Sequence, residues 1–400
     1  MNQRVSVGDF KIGEEERNAI IEVLDSGRLS EGVKVREFER TFAKYIGTQY
    51  AIAMSSGTGA LMCGLASLIH NKSIEAGTKV ITTPLTYIAT VNAIVNTGFT
   101  PVFVDVDLVT FGITPESIEQ YLNSVTDIQK HSLILPVHLM GYPCDMDGIN
   151  KIADKFNLLT FEDSAQAHGT IYKGKRTGSL SLLSAFSFYI AHNIQAGEMG
   201  IVTTDNLNIS RLLRKLKANG RMCDCPVCTR PKGKCPIQNV DPRFTHEFIG
   251  YNFKAMEFQA ALGISQMKKV DWITKTRSDN VRYLNEGLKK FSGILQLPTF
   301  FDTVSYLAYP IVAKQVNRKW LCSELEKCGI ETRPLFGCIP TQQPAYAYLK
   351  EEYKGKLPNA EYLGMNGFYI GCHQYLTEEN LEYVVRSFGE IINHLRVEKH

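Results

Sequence analysis

Residues 186–200 read Phe186-Ser187-Phe188-Tyr189-Ile190-Ala191-His192-Asn193-Ile194-Gln195-Ala196-Gly197-Glu198-Met199-Gly200. An imidazole in a loop of this kind can take up and release a proton near neutral pH, so His192 is a candidate acid–base residue. Ser55-Ser56-Gly57-Thr58-Gly59-Ala60-Leu61 runs a small-residue turn into an apolar helical stretch. The free N–H groups and dipole at such a helix start favour an anion, and a phosphate above all. Asp163 and His138 each close an apolar, strand-like run. A last group is Cys223-x-Cys225-x2-Cys228-x6-Cys235, set among Pro226, Pro231, Gly233 and Pro236. Such a loop cannot build a core of its own, and a bound metal centre would order it. Thiolates suit an iron–sulfur cluster and zinc alike.

These side chains need a frame. Strand patterns fall at Gln49–Met54, Lys79–Thr82, Pro101–Val106, Ser132–His138, Leu158–Glu162, Ser184–Phe188 and Gly200–Thr203. Helical patterns fall between them, at Pro84–Asn96, Pro115–Leu122 and Asp145–Phe156, and flank them at Glu14–Asp25 and Asn206–Lys217. Alternation at this spacing predicts an α/β chain with a mostly parallel sheet covered by helices. On such sheets ligands sit at the carboxyl ends of the strands. His138, Asp163 and the His192 loop all lie at such ends, so distant segments converge on one rim. Residues 219–247 form an irregular Cys-rich insert. Ala255–Leu288 reads as a long helical stretch containing a domain boundary. A strand at Leu307–Val312, a helix at Arg318–Lys327 and a closing helix at Thr377–Leu395 follow.

Composition narrows the function. The 400 residues are 44% hydrophobic, ample for a large core. A net charge of +3 gives no global bias toward nucleic acid or membrane. No apolar run reaches ~18 residues, so no membrane span is expected. The first residues lack an export-type apolar stretch, and the ten cysteines are expected as thiols of a cytoplasmic protein.

Together the segments resemble the nucleotide-sugar aminotransferases of pyridoxal phosphate fold type I and their dehydratase relatives. Ser56-Gly57-Thr58-Gly59-Ala60-Leu61 is similar to the family's phosphate loop. Thr82, Pro84, Thr86, Tyr87, Ala89, Thr90, Asn92 and Ala93 match its second signature. Pro136-Val137-His138-Leu139 with Asp145-Met146-Asp147 match the third, and Glu162-Asp163-Ser164-Ala165-Gln166-Ala167 the fourth. Gly250-Tyr251-Asn252-Phe253-Lys254 resembles the segment that reaches the partner subunit's phosphate. The resemblance implies a cofactor domain over 1–265, a smaller α+β domain over 266–400, and a homodimer. It implies that Asp163 pairs with the pyridine nitrogen, that Tyr87 covers the ring and that Gln166 meets the ring hydroxyl. Ser187 and the Gly57–Thr58 backbone would hold the phosphate, with Asn252 contributing across the dimer.

One position departs from the aminotransferases. They carry a lysine where His192 stands, and only an amine condenses with the cofactor's aldehyde. The resemblance is therefore closest to the 3-dehydratases that replace this lysine with histidine and work from pyridoxamine phosphate. Among these, the iron–sulfur enzymes carry a cysteine cluster where Cys223, Cys225, Cys228 and Cys235 fall. They take a further cysteine from the segment that here reads Asp163-Ser164-Ala165-Gln166, so Cys228 or Cys235 would supply that ligand. Gly329–Phe336 and Gln343-Pro344 are similar too, which makes Arg333 a candidate substrate contact beside His138. The implied reaction removes the carbon-3 hydroxyl of a nucleotide-linked 4-keto-6-deoxyhexose. His192 acts as base, and the cluster relays electrons from a reductase. Two alternatives stand beside it. One is an iron-free, glutamate-coupled dehydratase with a zinc-stapled loop, and the other a cofactor-binding homologue without activity.

Overall fold

Short apolar runs bounded by turns pair into a seven-stranded sheet in the computed structural model, which describes residues 5–223, 241 and 244–397. Its strands are β1 (Tyr50–Met54), β2 (Lys79–Thr82), β3 (Thr100–Phe103), β4 (His131–Leu135) and β5 (Leu159–Asp163). After a small hairpin of β6 (Ile171–Tyr172) and β7 (Lys175–Arg176) come β8 (Leu183–Ser187) and β9 (Gly200–Thr204). The strand order is β1-β9-β8-β5-β4-β2-β3. Only β9 runs against its neighbours, β1 and β8. The pairs β2–β3, β2–β4, β4–β5 and β5–β8 are parallel. Consecutive residues such as Ile52 and Ala53, Val80 and Ile81, and Leu133 and Ile134 are all buried, so both sheet faces are covered. The fold is the α/β architecture that the strand–helix alternation predicts, a mostly parallel sheet covered by helices.

A second sheet follows, built from β10 (Leu295–Gln296), β11 (Tyr309–Ala313), β12 (Arg333–Pro334) and β13 (Gly367–Ile370). It is antiparallel throughout, in the order β10-β11-β13-β12. Its Tyr309, Ile311 and Phe368 join one apolar cluster with Ile81 and Val102 of the first sheet.

Two expected helices differ from the sequence pattern. The stretch predicted over Ala255–Leu288 is two helices, Glu257–Lys268 and Val270–Leu288. Lys269 breaks it at φ −104° and ψ 0°, and its ammonium pairs with the buried Glu16 of the helix Glu14–Asp25. The helix predicted from Pro84 starts only at Ala89. Thr83 Oγ1 accepts the Leu85 N–H at 3.1 Å, and this local bond competes with a helical turn. The Thr83–Ile88 turn that results carries Tyr87. No helix among the described residues is long and apolar enough to cross a membrane.

Candidate active site

The chain emerging from β1 turns at Ser55-Ser56 into the helix Gly57–His70. Ser56 caps that helix, its hydroxyl accepting the Gly59 N–H at 3.1 Å. The other N–H groups of the first turn have no intrahelical acceptor and can bind an anion. Two close approaches fix this turn. A Cβ on Gly57 would lie 2.5 Å from Ser187 Cβ, and one on Gly200 would lie 2.1 Å from Ser56 O. The helix start is thereby pressed onto the end of β8 and the start of β9.

β5 ends on two carboxylates that face opposite ways, as strand alternation requires. Glu162 is buried and structural. It accepts hydrogen bonds from Gly178 N, Leu180 N and Ser181 Oγ, each at 2.9 Å. Asp163 lines a cavity of about 550 Å³. Its Oδ2 accepts the Thr90 hydroxyl at 2.8 Å and its Oδ1 the Ala165 N–H at 3.1 Å. Burial pushes its carboxyl above the ordinary range, against the pull of those two bonds. A cation placed against it would reverse that shift.

The same cavity is lined by Gly57, Thr58, Tyr87, Gln166, Ser187 and His192. Gln166 Oε1 accepts the Met140 N–H at 2.9 Å, which leaves its amide nitrogen as the donor toward the cavity. His192 Nδ1 stands 2.8 Å from the Ser187 carbonyl oxygen. A carbonyl only accepts, so Nδ1 carries the proton and Nε2 is left with a free lone pair. Burial, reinforced by the charge of Arg277, pulls the His192 pKa down to about 4. The ring is neutral at pH 7 and able to act as a base. The next residue anchors the loop: Asn193 Nδ2 donates to Ser305 Oγ at 2.7 Å. No lysine lines the cavity among the described residues.

Other expected site residues lie elsewhere. His138 is fully buried behind the cavity wall. Its Nε2 bonds Glu162 Oε2 at 2.9 Å and its Nδ1 accepts the Cys144 N–H at 3.1 Å, so neither nitrogen is left for a substrate. Asn252 is exposed and outside the cavity, in a segment that bridges to Ala218. Arg333 is exposed and ion-paired with Glu331 at 2.5 Å, but it pairs in register with Tyr369, which lines the cavity. Cys223 is half-buried, while Cys225, Cys228 and Cys235 lie outside the described residues. Among the described residues no three His, Cys, Asp or Glu side chains are grouped to hold a metal.

Thr90, Phe336, Leu307 and Tyr369 line the cavity without having been assigned a role from sequence. Thr90 had a faint signal: it falls in the second signature with Thr86, whose hydroxyl lies 3.1 Å from its own. The other three come from the second sheet and its loops, where no local pattern announces them.

Known proteins are similar to this chain over nearly its whole length. A dTDP-4-dehydro-2,6-dideoxy-D-glucose 3-dehydratase from Saccharopolyspora spinosa is 32% identical over 398 residues, covering 95% of this chain and 85% of that protein. The solved GDP-4-keto-6-deoxymannose-3-dehydratase ColD, a His-to-Asn variant with bound GDP-perosamine, superposes with a TM-score of 0.86. It is 28% identical, over 96% of this chain and 100% of that one. Another structure of that dehydratase holds a trapped PLP–glutamate geminal diamine. An aminotransferase from Psychrobacter cryohalolentis gives a TM-score of 0.85 at 32% identity, over 98% of this chain and 100% of that one. Residues 10–389 match the family model itself, and the chain belongs to the DegT/DnrJ/EryC1/StrS aminotransferase family.

Proposed function

We propose that this chain is a pyridoxamine-phosphate-dependent 3-dehydratase acting on a nucleotide-linked 4-keto-6-deoxyhexose. The observation that carries the reading is His192. It presents a free, neutral imidazole nitrogen to a cavity that lacks a lysine among its described lining residues. Family membership supports a sugar-modifying enzyme of the pyridoxal phosphate class but does not by itself separate dehydratase from aminotransferase. The histidine is the observation that supports the dehydratase reading.

The residues fit the cofactor. The Gly57–Thr58 helix start and Ser187 suit its phosphate, and Asp163 suits a protonated pyridine nitrogen. Tyr87 suits the ring face, and the Gln166 amide suits the ring hydroxyl. When bound, the cofactor supplies an amine that engages the 4-keto group and a ring that delocalises negative charge. His192 Nε2 would serve as the base for that chemistry, and the Ser187 carbonyl holds the imidazole in the tautomer that leaves Nε2 free to take a proton. Thr90 and the Ala165 N–H keep the Asp163 carboxylate oriented. In the proposed homodimer Asn252 would reach the neighbouring subunit's phosphate. The exposed Ile249 and Met256, which flank it in sequence, suit such a contact.

Replacing C–OH by C–H at carbon 3 takes up two electrons and two protons and releases water. A donor is required. The spacing of Cys223, Cys225, Cys228 and Cys235 supports an iron–sulfur cluster fed by a reductase. The alternative donor is glutamate, which would replenish the amine cofactor. The solved dehydratase holding a PLP–glutamate adduct favours that second reading.

Two measurements test the proposal. Protein purified without oxygen is assayed for iron, zinc and labile sulfide, with Cys223→Ser as control. Iron with sulfide, lost in the variant, supports the cluster, whereas zinc or neither metal turns the reading to glutamate. The protein is then incubated with pyridoxamine phosphate, a nucleotide 4-keto-6-deoxyhexose, and either glutamate or a chemical reductant. Mass spectrometry should find a 3-deoxy sugar. Formation of an amino sugar instead would overturn the dehydratase assignment.

A further inference from the structure

Phe336 combines a strained backbone with a place in the cavity wall. Its φ is +40°, in the left-handed region that a bulky aromatic side chain rarely adopts. Strain of this sort persists where the neighbouring structure imposes it, and it clusters at working sites. The surroundings here do impose it. On one side Leu335 N–H donates to Gly367 O at 3.0 Å, tying the segment to β13. On the other, Ile339 N–H donates to Pro84 O at 2.8 Å, tying it to the turn that carries Tyr87. A third tie, Tyr346 OH to Asn92 Oδ1 at 2.8 Å, holds the helix after that turn.

The outcome of this strained turn is the placement of one ring. Phe336 is half-buried, lines the cavity, and sets its ring centroid 6.0 Å from that of Tyr87 at 56°. Tyr87 is 61% exposed, and among the described residues Phe336 is the only aromatic ring against it. Without that neighbour the Tyr87 side chain would lose its one aromatic contact among the described residues, and a ring that must lie over a ligand would be less firmly pre-set.

We propose that Phe336 is a positioning residue that braces Tyr87 over the cofactor, so that the second sheet and its loops hold the lid of the cofactor site. The inference rests on the reading of Tyr87 as the residue that covers the pyridine ring. Phe336 acts through Tyr87 and has no part in the chemistry.

The test separates the brace from ordinary packing. Phe336→Gly removes the ring but relieves the positive φ, which offsets part of the packing lost with a half-buried ring, so the cofactor-free full-length protein should melt only a few degrees lower at most (about 4 °C). Pyridoxal phosphate and pyridoxamine phosphate are titrated into wild type, Phe336→Gly, Phe336→Tyr and Tyr87→Ala. Affinity and the circular dichroism induced in the cofactor band are read. Phe336→Gly should bind several-fold to about tenfold more weakly with a reduced induced signal, the size expected for one lost aromatic pair. Phe336→Tyr should restore both. In the double variant with Tyr87→Ala the loss from Phe336→Gly should vanish, because the two act as a unit. Equal affinity and an equal induced signal in wild type and Phe336→Gly would overturn the brace and leave the cofactor reading standing. Additive losses in the double variant would overturn it as well. A wild-type protein that binds neither cofactor would overturn the functional reading itself, and the brace with it.

Discussion

Gly57 sits so close to Ser187 that a methyl group on it would stand 2.5 Å from Ser187 Cβ and 2.9 Å from its hydroxyl. The helix start and the β8 terminus therefore share one small space, and a bound phosphate would bridge them. Gly57→Ala should cost about 1–3 kcal/mol by overpacking and weaken pyridoxal phosphate binding. Removing the opposing Cβ in Gly57→Ala/Ser187→Gly should recover the melting temperature but not the affinity, because the hydroxyl is gone. Thermal melts and cofactor titrations on the three proteins read this directly.

His192→Asn should lose turnover by about 10²- to 10⁴-fold, the usual worth of a positioned base, while cofactor affinity changes little. His192→Lys puts an amine where only an imidazole stands. That variant should become covalently modified by pyridoxal phosphate after borohydride treatment, seen as a mass increase, and wild type at this position should not. Unchanged turnover in His192→Asn would remove the assigned role.

Acid should weaken the fold through histidines that it keeps neutral. Burial lowers the pKa of His192 to about 4 and of His373 to about 4, and drives His168 well below its ordinary value. Unfolded histidines titrate near about 6.5. Between these values the unfolded chain binds protons that the folded chain refuses, so stability rises with pH there. The denaturant midpoint should fall as pH drops from about 6.5 toward about 4, beyond the change seen from pH 8 to 7. His168 packs against Phe42, Phe186 and Phe188, and neither ring nitrogen has a partner among the described residues. His168→Phe should therefore flatten that slope. Catalysis should show no acid limb near pH 6.5, since His192 is already neutral there.

Thr90→Val tests the orientation of Asp163. It removes the hydroxyl that bonds Oδ2 and leaves the carboxylate with the Ala165 N–H alone. The Asp163 pKa, already raised by burial, should rise further. Cofactor affinity should drop by about 1.5–3 kcal/mol, the range for a hydrogen bond to a charged group. Asp163→Asn should be worse, because it removes the charge as well. Both are read by cofactor titration at several pH values.

His138 offers the opposite control. Both its nitrogens are engaged by Glu162 and Cys144 in a fully buried setting. His138→Ala should leave buried partners unsatisfied and lower stability by several kcal/mol at most, about 1–3 per lost partner. The KM for a sugar substrate should stay put in the fraction that remains folded. A raised KM with unchanged stability would return His138 to the substrate site.

The local sequence determined a good deal of this protein. Period-two and continuous apolar runs bounded by turns specify the strands, and their alternation with helices specifies a covered, mostly parallel sheet. Parallel strands put their carboxyl ends on one rim. That alone brings Gly57, Asp163, Ser187 and His192 together, because each ends or follows a strand. The identity of residue 192 is likewise a fact of sequence, and it excludes a covalent amine anchor at that position. The tertiary structure decided what local pattern cannot encode. Glu162 and Asp163 are adjacent carboxylates, and only the pleat of β5 in its place turns one toward His138 and the other into the cavity. His138 and His192 are both strand-end histidines, and only packing shows one with both nitrogens engaged and the other with a free lone pair. Phe336 and Tyr369 reach the cavity from more than 140 residues after His192, through contacts between two sheets. Long-range contacts of that kind depend on how the sheets dock, which no window of the sequence contains.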